Sequence, residues 1–194
     1  MSGRSGDLDA DTSADLSAPH RLIVAVTGPP SAGKSTLAVP LAHALGLPLL
    51  AKDTVKEALF DELGSSDHDA SRSRALSDAA YRVIASLLER FPAAVIDMNL
   101  PPEWVPTFTA LAARPLQVFC RCPQAELERR LVARATARHP VHNDDVVLDE
   151  VRTQGVRGAE PAGLNGPLLE VDTSTPVDIA GVVSWVEREA YRRA

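Results

Sequence analysis

The chain has 194 residues and a net charge of −6, and its first nineteen residues hold four Asp and one Arg, so half of that excess sits in one terminal stretch. The rest is close to neutral, which leaves no basic footprint for duplex nucleic acid. No apolar run approaches the roughly 20 residues that span a bilayer, the N-terminus lacks the apolar core of a signal peptide, and a chain with only Cys120 and Cys122 builds no disulfide framework and suits a reducing cytoplasm.

Residues 1–19 are Ser, Asp, Gly and Ala with two Leu, too little apolar surface to offset ordering, so a disordered tail is expected before one domain over 20–194. Leu22 to Val26 is continuously apolar and rich in β-branched residues, as in a strand buried on both faces. It leads into Gly28-Pro29-Pro30-Ser31-Ala32-Gly33-Lys34-Ser35-Thr36, which fits the P-loop pattern in full. In such a loop successive N–H groups surround an anion and the next helix adds its positive end. Lys34 then reaches the outer phosphates, and the Ser35 hydroxyl is placed to ligate Mg²⁺.

A first helix is predicted over Lys34–Leu45, with Gly46 as its stop and a local kink at Pro40. Leu47–Ala51 reads as a second strand, followed by Asp53 and a helix over Thr54–Leu63 closed by Gly64. A polar loop, Ser65 to Asp69, precedes a long amphipathic helix from Ala70 to Arg90. Ala93–Ile96 is a third strand ending in Asp97, and Pro101 and Pro102 open a helix carrying Trp104, Phe108 and Leu111. Leu116–Cys120 is a fourth strand, with Pro123 introducing a helix from Gln124 to about Arg138. Residues 139–166 read as a mobile segment with one short helix near Val146–Gln154, Leu168–Val171 as a fifth strand, and Pro176–Arg192 as the closing helix. The alternation implies an α/β fold with a parallel sheet, whose ligands sit at the carboxyl ends of the strands.

The polar candidates occupy those ends. Asp53 can accept a proton from a substrate hydroxyl and orient it for in-line attack, or cap a helix. Asp97, after an apolar strand, stands where a P-loop protein keeps the carboxylate of its Mg²⁺ shell. Asn99 follows as a candidate acceptor contact. Arg130, Arg134 and Arg138 share one helix face beside the stripe of Leu127, Leu131 and Ala135, and five Arg face two Glu between Arg121 and Arg138. That stripe can clamp a phosphoryl group, with Arg130 and Arg134 ahead of Arg138. His139 and His142 are expected to line the acceptor pocket or hinge a lid, and the cysteines lack the spacing of zinc ligands.

Gly28 to Ser35, Asp53 with Thr-Val-Lys-Glu, Asp97-x-Asn99 and the Arg-rich helix into Arg138-His-Pro-x-His together resemble the small P-loop kinases of the chloramphenicol phosphotransferase-like, AAA-type ATPase group. More distantly the pattern is similar to gluconate, shikimate and adenylate kinases. The resemblance implies five parallel strands in the order 2-3-1-4-5 with helices on both faces, a mobile lid near 137–160, and ATP with Mg²⁺. It also implies transfer of the γ-phosphoryl group to a hydroxyl of a small molecule such as an antibiotic, sugar, nucleoside or hydroxy acid. In that frame Asp53 is the base, Lys34 and Ser35 are the phosphate and metal residues, and Arg130 and Arg134 begin the lid. A regulatory P-loop ATPase and a kinase of nucleic-acid ends or nucleotide-sugars are the alternatives.

Overall fold

Strand β1 (Leu22–Thr27) is apolar up to Val26 because it is covered on both faces. Val24 and Val26 pack with Leu37 and Leu41 of α1 (Lys34–Leu45), Leu127 of α5 (Gln124–Arg134) and Val182 and Val186 of α7 (Ile179–Tyr191). Ile23 and Ala25 face the other way, onto Tyr81, Ile84 and Leu88 of α3 (Ala70–Leu88) and Phe108 and Leu111 of α4 (Val105–Leu111). Each fully buried side chain of this kind contributes about 1.5–3 kcal/mol. The computed structural model describes residues 21–63, 70–112, 114–134 and 137–192; the expected tail, Gly64, the Ser65–Asp69 loop and Ala135 lie outside them.

With β2 (Leu49–Ala51), β3 (Ala93–Asp97), β4 (Leu116–Arg121) and β5 (Leu168–Asp172), β1 forms a parallel sheet in the expected order β2-β3-β1-β4-β5. All four pairings are parallel. The strands therefore end on one edge, where the P-loop and Asp97 emerge. Two further helices, α2 (Lys52–Leu63) and α6 (Asp144–Gln154), flank that edge. Phe60 of α2, Leu76 of α3 and Val141 form a small third core that seats the segment before α6. Among the described residues no helix is long and apolar enough to cross a membrane.

Several boundaries differ from the sequence expectation. Strand β2 starts at Leu49 because Pro48 has no N–H to give, although its carbonyl still accepts from Val95 N at 2.9 Å. Helix α2 starts at Lys52, directly after β2, so Asp53 lies inside its first turn, where the positive helix end favours a carboxylate. Helix α1 runs unbroken through Pro40; the carbonyl that loses its helical partner to the missing N–H is that of Thr36, an exposed residue. Helix α5 stops at Arg134, four residues early. Ala137 N bonds back to the Arg134 carbonyl, and Pro140 pushes His139 out of helical geometry. Arg138 thus leaves the line of the stripe. Asp178 caps α7 by accepting from Gly181 N at 3.0 Å, so that helix begins later than Pro176.

Candidate active site

The loop after β1 turns through three left-handed residues, Gly28 (φ 141°), Ser31 (φ 62°) and Gly33 (φ 78°). At Gly28 a Cβ would sit 2.7 Å from the Cys120 carbonyl oxygen, so only glycine fits between the loop and β4. Thr173, just past β5, fastens the loop from beneath: its buried Oγ1 donates to the Ala32 carbonyl at 2.7 Å. The Ser31 hydroxyl is buried without a hydrogen-bond partner. An anion held by the loop would supply what that orphan group lacks. Lys34 donates from Nζ to the Pro29 carbonyl at 2.7 Å. Burial pulls its pKa down, against the attraction of Asp97 and Asp53.

Ser35 donates to Asp97 Oδ2 at 2.5 Å, joining the start of α1 to the end of β3. Asp97 is only 6% exposed, and burial raises its pKa against the pull of the Ser35 hydroxyl and Lys34. A hydroxyl beside a carboxylate is the oxygen-donor set that Mg²⁺ prefers, with substrate phosphates completing the shell. These two residues therefore fit the ion.

Asp53 faces the same space. Its Oδ1 lies 2.6 Å from Lys52 Nζ and its Oδ2 accepts from Arg138 at 2.7 Å. Burial works to raise its pKa, but Lys52, His142 and Arg138 outweigh it and hold the carboxyl well below the usual carboxylate range. Arg138 Nε reaches toward Asp144 Oδ1 at 3.4 Å, and Asp144, 8% exposed, receives a two-bond fork from Arg134 at 2.8 and 3.1 Å. The row Asp53–Arg138–Asp144–Arg134 thus joins α2 to α6. Arg130 belongs elsewhere. It pairs with Glu126 at 2.7 Å and donates to the Thr173 carbonyl at 2.7 Å and the Ser31 carbonyl at 3.4 Å, bracing the P-loop.

One cavity of about 1290 Å³ gathers Pro30, Ser31, Gly33, Lys34, Ser35, Thr36, Asp53, Asp97, Asn99, Arg130, Arg134, Arg138 and His142. Gly28, Pro29 and Ala32, the other predicted loop residues, do not line it. Asn99 takes the Tyr81 hydroxyl's hydrogen bond on its backbone carbonyl and turns its side chain toward Gly158. His142 reaches Glu57 at 2.7 Å, and burial lowers its pKa. His139 lies outside the cavity. Its Nδ1 accepts from Val141 N and its Nε2 meets Asp61 at 3.0 Å, edge-on to Phe60, so it pins the segment before α6 to α2. The sequence reading missed Lys52, Lys56, Asp144 and Thr173. The strand-end rule pointed to Thr173, and Lys52 adjoins Asp53; Lys56 and Asp144 carry no local signal.

The matches with known proteins fit this layout. A family model described as an AAA domain matches residues 23–156. No curated protein matches the chain by sequence. Among solved structures, a candidate kinase from Chloroflexus aurantiacus J-10-fl is 34% identical, with a TM-score of 0.74 over 89% of this chain and 98% of that one. Shikimate kinase from Bacteroides thetaiotaomicron (21% identical, TM-score 0.54, covering 87% and 95%) is similar in fold. So is a gluconokinase from Sinorhizobium meliloti 1021 (18%, TM-score 0.54, covering 90% and 93%).

Proposed function

Because this chain belongs to the AAA domain family and has the fold of a small P-loop kinase, we propose that it moves the γ-phosphoryl group of ATP to a hydroxyl of a small molecule. The observation that carries this reading is convergence: the anion cradle, Lys34, the Ser35–Asp97 pair and the Asp53 carboxylate open into one cavity.

In this reading the loop amides and Lys34 hold the triphosphate, with its last phosphorus toward Asp53. Ser35 and Asp97 would hold Mg²⁺, which when bound would supply charge neutralisation on the phosphate oxygens. The acceptor hydroxyl hydrogen-bonds to Asp53. Its oxygen forms a bond to the γ-phosphorus as the bond to the β–γ bridging oxygen breaks, and its proton passes to the Asp53 carboxylate. A carboxyl held so acidic is a weak base, but a loose phosphoryl transition state asks for positioning more than proton abstraction. Asp53 therefore acts chiefly by orienting the oxygen, a role its pairs with Lys52 and Arg138 rigidify. Arg134 and Arg138 stand on the cavity wall, where charge develops in transfer, while Arg130 holds the loop.

The test is an ATP-consumption screen across antibiotics, sugars, nucleosides and hydroxy acids. The expected result is ADP formation that one acceptor raises well above background, with a phosphorylated product. Hydrolysis that no small molecule stimulates and a protein partner does would replace this reading with a regulatory ATPase.

A further inference from the structure

The same cavity carries cations that the transfer step does not use. Lys56 lies three residues past Asp53 on α2, about 4.5 Å further along the helix axis. It is 5% exposed and lines the cavity. Its ammonium has three N–H donors. Ser73 Oγ accepts one at 2.8 Å and donates its own O–H to the Val141 carbonyl at 3.0 Å. No carboxylate lies within ion-pair distance of Lys56 among the described residues, and the two nearest in charge are engaged: Asp53 with Lys52 and Arg138, Glu57 with His142. Arg74, next to Ser73 on α3, lines the same cavity and has no ion pair among the described residues.

A buried ammonium with unfilled donors is costly unless something of opposite charge meets it. Burial, reinforced by Lys52 and Arg138, brings the Lys56 pKa down to about 8. Of the other acidic residues on the cavity wall, Asp97 is taken by Ser35, Asp144 by Arg134 and Arg138, and Glu150 by Arg157, while Asp78 and Glu103 stand by the Tyr81–Trp104 stack, with Asp78 accepting from the Trp104 indole. They leave the Lys56 end to an anion.

We propose that Lys56, held in place by Ser73, and Arg74 bind an anionic group of the acceptor, so that the molecule phosphorylated beside Asp53 is a hydroxylated carboxylate or a phosphate ester, not a neutral alcohol. The inference rests on the kinase reading for what happens at Asp53. The short step along α2 places the anion a few bonds from the reacting hydroxyl.

The experiment measures binding by thermal shift with the P-loop saturated with ADP and Mg²⁺, so that the loop itself is closed to the anions and the variants tell this wall from the arginines beside it. The probes are matched pairs: gluconate against sorbitol, glycerate against glycerol, glucose 6-phosphate against glucose. The expected result is a shift with anionic members only, the carboxylate and phosphate arms telling which anion is taken. Lys56→Met should weaken that binding roughly 10–100-fold while ADP affinity holds. Arg74→Gln, on an exposed helix face, should weaken it less and keeps the test open if the buried change disturbs folding. Equal shifts with neutral partners, no shift with any anion, or full anion affinity in both variants would overturn the proposal. A Lys56→Met protein that merely melts lower, with its anion affinity intact, would make the lysine a structural tie. ADP formation with the same panel separates the two readings. Anion binding without transfer keeps this wall and removes the kinase, whereas transfer to neutral members as fast as to anionic ones does the reverse.

Discussion

Replacing Asp53 by Asn removes one negative charge, leaves the side-chain shape intact, and leaves Lys52 and Arg138 facing an amide. The carboxylate is 44% exposed, so each lost ion pair is worth about 0–1 kcal/mol, and the variant should fold with a melting temperature within several degrees of the parent. The effect on the reaction should be much larger. A carboxylate that orients the attacking oxygen supplies roughly 10²-fold in rate, or about 2.7 kcal/mol of barrier. We expect kcat with the best acceptor of the ATP screen to fall by that factor, while the Kd for ADP, measured by titration calorimetry, stays within about threefold. Since neighbouring cations keep Asp53 ionised far below neutrality, Asp53 should contribute no acid limb near the ordinary carboxylate pKa. The sign is the same for stability: the pairs contribute fully above the unfolded-state value and are lost as the pH falls through the lowered one. A near-normal rate in Asp53→Asn, or a loss of ADP affinity matching the loss of rate, would refute the reasoning.

Lys34→Met should weaken nucleotide binding by roughly 10–100-fold, the worth of one charge-assisted contact, in a direct ADP titration. Gly28→Ala forces a Cβ to within 2.7 Å of the Cys120 carbonyl at a φ of 141°, so it should cost about 1–3 kcal/mol or more and lower the melting temperature by about 2–4 °C per kcal/mol. Lys56→Met should leave stability at pH 7 unchanged or raise it by about 1–3 kcal/mol, after discounting for nearby solvent. A lysine held near 8 binds fewer protons folded than unfolded, so the parent gains stability as the pH climbs from about 8 toward 10.5, and the gap between the two proteins should close over that range. Melts from pH 6 to 10 that show a widening gap would contradict this.

Local chemistry made much of this protein readable in one dimension. The β1 run and the loop from Gly28 to Ser35 were legible because their pattern follows from burial on two faces and from backbone shapes that need glycine. The strand-end carboxylates were legible because a parallel sheet sends every strand's end to one edge. The regular arginine spacing was legible too, but not its use. A guanidinium's partner is set by contacts between distant segments: Arg138 meets Asp53 across 85 positions, Arg130 meets the Thr173 carbonyl across 43, and the break of α5 at Arg134 is what parts them. Lys56 looks in sequence like any solvent-facing helix cation. Only packing of α2 against α3 and Val141 buries it and turns it toward the cavity, because burial is a property of neighbours and not of the residue itself.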